Sequence, residues 1–150
     1  MRTLSALVLL VLCGLFWGNG AAIQARSNTD KVLEFDDFPL EEPLSHPDWF
    51  KKSFLDLRED LAEAGQAGKQ GLILYFGQKH CAYCKRLLEV NFGLDDIRAY
   101  TQKHFEVVAI DIWGTEAVKD LRGQNLSERE LAIRERTNFT PSLVFYDLDG

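Results

Sequence analysis

The sequence predicts an α/β fold, and three observations carry that prediction. Apolar runs that read as buried strands occur at 72–76, 105–112 and 142–146. Stretches with helical spacing or helix-start signals stand between them. The first run leads through Gly77 into Cys81-Ala82-Tyr83-Cys84 and an amphipathic segment, so a strand, a short loop and a helix follow directly on one another. With 150 residues, 46% of them hydrophobic and 27% charged, the chain has the composition of one soluble domain plus a targeting segment.

Met1 to Ala25 reads as a secretory signal. Arg2 supplies a minimal positive start, Leu4 to Trp17 is an apolar run, and small residues cluster at Gly18, Gly20, Ala21, Ala22 and Ala25. The run is shorter than the roughly 20 residues that span a bilayer, which favours cleavage over a membrane anchor. Lipidation at Cys13 is disfavoured by the bulky Leu12 before it. The expected location is therefore the periplasm or the exterior, where a disulfide persists. Net charge is −6 for the chain, and −7 once Arg2 is removed with the signal. An acidic domain without a basic stripe argues against nucleic acid as a partner.

Arg26 to Ser45 is acidic and punctuated by Pro39 and Pro43, and reads as a linker to a domain covering 46–150. His46 to Gly65 is expected to be a helix: Pro47 suits a first helical position, Phe50, Phe54, Leu57 and Leu61 form an apolar stripe, and Gly65 and Gly68 end it. His46 itself reads as a cap or surface residue. After the dithiol segment, Asp95 or Asp96 can cap a second helix with Ile97 and Tyr100 facing inward, so the helix kinks or restarts near Gly93. Phe105 to Ile112 is too apolar on both faces to be an edge strand, and Asp111 near its end reads as a turn acid. Trp113 to Asn125 is expected to be a polar connection with a short helical turn at 116–121. Ser127 and Glu130 form a capping box for a helix to about Arg136, supported by Glu130 and Arg134. Thr140-Pro141 opens the third strand, and Asp147 to Gly150 reads as a turn.

The chemistry is concentrated in the dithiol. At the start of a helix, unpaired N–H groups and the positive end of the macrodipole favour a thiolate, so Cys81 is the candidate nucleophile. Cys84, one turn on, can close a disulfide with it. Lys79, Lys85 and Arg86 add positive charge, as does His80 when protonated. A dithiol of this kind exchanges electrons with other disulfides through a mixed disulfide. Two other readings stand beside it. One is a Cu(I) or Zn(II) site or metallochaperone built from the two cysteines with His80 or His104, although a structural zinc usually takes four ligands. The other is a redox-inert binding module with a passive disulfide. A c-type haem is excluded because Lys85 follows Cys84. The sequons at Asn125 and Asn138 read as incidental.

Strand, CxxC helix start and a later Thr140-Pro141 together resemble the thioredoxin superfamily. The wording YFGQKHCAYCKRLLEVNF and NFTPSLVFYDLDG looks more specifically like periplasmic thioredoxin-like proteins of the SoxW type. The resemblance implies a central mixed sheet flanked by helices. It implies a cis Pro141 beside the dithiol and pairing of Thr140 with a substrate backbone, with His80, Ala82 and Tyr83 completing the substrate contact. It also implies a further strand and closing helix after Gly150, so the expectation is a domain truncated at its C-terminus. The implied activity is reduction of disulfides in partner proteins, with oxidase or isomerase activity as alternatives. It needs no cofactor beyond the Cys81–Cys84 disulfide, and its expected electron donor is a membrane thiol shuttle. The chain departs from the family at three places: His80 stands where thioredoxins have Trp, Tyr75 where they have a buried proton-accepting Asp, and Ala82-Tyr83 lies between the cysteines.

Overall fold

The computed structural model describes residues 37–150. The expected signal segment, 1–25, and the first part of the linker lie outside them. Among the described residues, no helix is long and apolar enough to cross a membrane.

Strand β1, Gly71–Gly77, runs through the middle of a three-stranded sheet. It pairs in parallel with β2, Phe105–Asp111, from Gly71 opposite Phe105 to Gly77 opposite Asp111. On its other side it pairs antiparallel with β5, Ser142–Asp147, from Gly71 opposite Asp147 to Phe76 opposite Ser142. The sheet is mixed and helices flank it, as the predicted class requires. The strand alternation divides the apolar residues of β1 between two faces. Leu72, Leu74 and Phe76 pack with Leu57, Val108, Ile110, Leu131 and Ala132. Ile73 and Tyr75 pack with Phe50, Cys81, Cys84, Leu88, Phe92 and Val107. Each fully buried aliphatic side chain of this kind contributes about 1.5–3 kcal/mol.

The helix expected at 46–65 starts only at Leu57. Helix α1 is Leu57–Gln66, capped by Asp56, whose carboxylate accepts from the Glu59 N–H at 3.2 Å. The apolar stripe that suggested a longer helix is not one face. Phe50 packs with Tyr75, Leu57 packs on the opposite side of the sheet, and Phe54 is 99% exposed. Leu55 takes a positive φ of 63°, which no helix tolerates. Residues 46–56 instead form a strap along the sheet, where the Lys51 N–H donates to the Val107 carbonyl at 2.8 Å. That strap explains a second correction: among the described residues β2 is an edge of this sheet, and its apolar content is buried beneath the strap and the helices.

Helix α2, Ala82–Arg86, continues as a π-helical turn at Leu87–Asn91. Helix α3, Asp95–His104, follows, so the expected restart near Gly93 is present. A Cβ at Gly93 would sit 2.0 Å from the Glu89 carbonyl oxygen, so only glycine allows this close turn. Leu94, not an aspartate, is the N-cap residue of α3. Thr101 is the residue of α3 that is buried, Ile97 is half-buried, and Tyr100 faces solvent against expectation. The connection expected at 113–125 contains a hairpin instead of a helical turn, with β3, Ala117–Lys119, antiparallel to β4, Asn125–Ser127. These strands are too short for a period to be read from them. The capping box at Ser127 is present and starts α4, Glu128–Arg134. Arg134 does not pair with Glu130; it reaches the fully buried Asp120 and Glu135.

Candidate active site

Helix α2 places the dithiol. Cys81 is its N-cap, and the Cys81 Sγ accepts from the Cys84 N–H at 3.0 Å. The two cysteines form a disulfide with S–S at 2.04 Å. Cys81 is 5% exposed and Cys84 is 0% exposed. That asymmetry leaves what solvent access the pair has at Cys81 and encloses Cys84. Thr140 comes from a distant part of the chain, and its hydroxyl donates to the Cys81 Sγ at 3.4 Å, because a disulfide sulfur carries no proton. The Thr140–Pro141 peptide bond is cis. In the reduced state the Cys84 N–H and the Thr140 hydroxyl are both placed to hold a Cys81 thiolate.

The other residues expected to meet a partner divide. His80 and Tyr83 are exposed, whereas Ala82 is 7% exposed and packs inward, so its side chain has little to present. His80 is held by residues that no local signal pointed to. Its Nδ1–H donates to the Leu40 carbonyl at 2.8 Å, and its own carbonyl accepts from the Leu40 N–H at 3.2 Å. The Leu44 N–H donates to the Lys79 carbonyl at 2.6 Å, and the Tyr83 hydroxyl donates to Asp37 at 3.4 Å. Residues 37–44, read from sequence as linker, therefore brace the loop in front of Cys81. Trp113, 60% exposed, donates from Nε1 to Gln78 Oε1 at 2.8 Å and carries the Arg129 guanidinium 5.4 Å above its ring.

The family model of the thioredoxin-like domain matches residues 57–150. The chain belongs to the thioredoxin-like family. No curated protein and no solved structure matches it. In this thioredoxin-like domain the disulfide stands at a helix start beside a cis proline, and the chemistry it offers is that of an oxidoreductase.

Three titratable groups lie along β1 and the loop after it, one of them in the cluster that holds the disulfide of this thioredoxin-like domain. Tyr75 is 0% exposed, and burial pushes its phenol far above its ordinary value. His46 is not a plain surface residue: it stacks on Phe50 with centroids 5.8 Å apart and meets Tyr75 edge-on at 5.5 Å. Burial lowers its pKa, and the Asp111 charge opposes that shift. Glu128, in the first turn of α4, is only 7% exposed. It accepts from the Asp111 N–H at 2.9 Å, over Gly114, where a Cβ would lie 1.8 Å from its Oε2. Together with His46, Gly77, Lys79 and Asp111, it lines a cavity of about 440 Å³ beside the loop that leads to the cysteines. Among the described residues no group of three or more His, Cys, Asp or Glu is placed to hold a metal ion. His104, a candidate ligand by sequence, packs its ring at a tilt against Tyr100 with centroids 4.3 Å apart.

Burial raises the Glu128 pKa, and the Asp111 charge adds to the rise. A raised folded-state value favours the protonated form in the fold. The stability it lends is complete below the ordinary value of 4.5 and is lost as pH rises through the higher folded value. Glu128→Gln keeps an acceptor for the Asp111 N–H without the charge. Its Tm is expected to exceed that of the unmodified protein at pH 7, with the gap closing near pH 3. Thermal scans across that range check it, and a gap that widens towards acid would contradict the assignment.

Proposed function

We propose that this thioredoxin-like domain is an exported thiol–disulfide oxidoreductase that reduces disulfides in partner proteins. The observation that carries the reading is the unequal exposure of a disulfide at a helix start, with Thr140-Pro141 against its outer sulfur. The reduced Cys81 thiolate attacks a partner disulfide and forms a mixed disulfide. The buried Cys84 then attacks Cys81 Sγ, restores the internal disulfide and releases the partner as a dithiol.

Exposed Tyr83, between the two cysteines in sequence, and Phe139, next to Thr140, at 53% and 74%, supply apolar area for a polypeptide partner. Thr140 offers its backbone to an extended segment of that partner, and His80 borders the approach. The sequence resemblance to the SoxW type supports a periplasmic setting and a membrane thiol shuttle as electron donor. The apolar start of the chain supports export.

The experiment is the equilibrium of the Cys81–Cys84 pair with dithiothreitol or glutathione buffers, read by alkylation. A reduction potential near thioredoxin's, about −270 mV, supports the reductase. A value nearer about −120 mV makes the protein an oxidant of partner thiols and reverses the proposed direction. A pair that never cycles ends the reading.

A further inference from the structure

We infer that the Tyr75 hydroxyl is the hydrogen-bond donor that stabilises the dithiol state of Cys84, so that it holds the reduction potential of the pair up. This inference rests on the oxidoreductase reading and adds to it a residue that tunes the site.

Tyr75 Oη is the buried side-chain polar atom that has no hydrogen-bond partner among the described residues. A buried hydroxyl left unpaired bears its whole desolvation cost. Its surroundings show that the position is built for it. Tyr75 stands opposite Ala109 on β2, where a larger residue would crowd the ring. A Cβ at Gly77 would lie 2.7 Å from the Tyr75 Cε1 and 3.0 Å from its Oη. The phenol thus runs along β1 towards the loop that carries the cysteines, and it shares one packed cluster with Cys81 and Cys84. Among the described residues, the hydrogen bonds to sulfur from the Cys84 N–H and the Thr140 hydroxyl both end on Cys81. Cys84 Sγ, fully buried, has neither.

Reduction changes where the Cys84 sulfur can sit. A partner dithiol gives two electrons to the S–S bond, which breaks, and the partner becomes a disulfide. Of the two protons it loses, one goes to Cys84 and one to solvent, leaving a Cys81 thiolate and a Cys84 thiol. The freed Cys84 sulfur turns independently of Cys81 and becomes an acceptor for Tyr75 Oη, a donor that keeps its own proton because burial holds the phenol neutral. The oxidised state leaves the hydroxyl unpaired and the reduced state pairs it, so Tyr75 favours the reduced state.

The test is Tyr75→Phe, which removes one oxygen and keeps the ring. In a dithiothreitol redox buffer, the equilibrium should move towards the disulfide by roughly tenfold, about 30 mV more negative for a two-electron couple. Gly77→Ala pushes the hydroxyl aside without deleting it and should shift the potential in the same direction. Tyr146→Phe, on the opposite face, should not shift it. The unmodified protein offers a readout independent of folding of any variant: the phenol C–O band in a reduced-minus-oxidised infrared difference spectrum should move. An unchanged or less negative potential in Tyr75→Phe, or a difference spectrum without a tyrosine band, overturns the inference. If the unmodified pair cycles while these tests fail, the oxidoreductase reading stands. If it does not cycle, both fall.

Discussion

Cys81→Ser is expected to abolish disulfide exchange, a loss of several orders of magnitude, because the attacking thiolate is gone and Cys84 is out of reach of a partner. Cys84→Ser is expected to behave differently. Cys81 still attacks, no second sulfur resolves the product, and the protein accumulates as a mixed disulfide with its partner. Non-reducing electrophoresis after incubation with a disulfide-containing protein shows the adduct, and dithiothreitol removes it. Equal trapping by both variants would assign the attacking role to neither cysteine and defeat the mechanism. The serine introduced at the fully buried Cys84 position also costs stability, since its hydroxyl needs a partner there, and a thermal scan should accompany the assay.

Gly71→Ala is expected to be among the most damaging single changes outside the cysteines. Gly71 begins β1 opposite Asp147, and a Cβ there would stand 1.9 Å from the backbone carbonyl oxygen of Tyr146. A backbone oxygen cannot swing aside as a side chain does, so β5 must shift and its ladder with β1 must break locally. The cost should be about 3 kcal/mol or more, read as a fall in the urea midpoint. Because β5 follows directly on Pro141, the same shift disturbs the Thr140 contact with Cys81, and exchange activity should fall in the fraction that remains folded. Gly68→Ala is the comparison. Gly68 has a φ of 74°, but a methyl group there would meet no atom within 4 Å, so only backbone strain of about 1 kcal/mol applies. Equal losses at the two positions would show that β5 yields to the methyl group, and that its close approach is not what requires glycine at 71.

Much of the site was legible because its signals are local. The run Leu72 to Phe76 must be buried on both faces whatever surrounds it. The spacing of Cys81 and Cys84 places both on the first turn of a helix. Ser127 and Glu130 satisfy each other within a single turn. The cis Thr140–Pro141 bond was implied by resemblance, and the structure contains it. The misreadings have physical causes of another kind. The stripe Phe50, Phe54, Leu57 and Leu61 had helical spacing, yet Phe50 and Leu57 serve opposite faces of the sheet. The hairpin of β3 and β4 has strands too short to show alternation. The tyrosine at position 75 read as the mere absence of a buried acid, whereas its unpaired hydroxyl in the cysteine cluster is a polar feature in its own right.

The sequence by itself determined the α/β class, the central strand, the dithiol at a helix start and the residue pair that opens β5. Each depends on periodicity or on hydrogen bonds between residues a few positions apart. Tertiary structure alone decided that Cys84 is enclosed while Cys81 keeps a little exposure, that residues 37–44 brace the loop at His80, that β2 lies at the edge of the described sheet under a strap, and that Glu128 is buried against Asp111. Those outcomes depend on contacts between segments far apart in the chain, such as Leu40 with His80 and Thr140 with Cys81. Burial and pairing across such distances are settled by how the layers pack, and no local pattern encodes them.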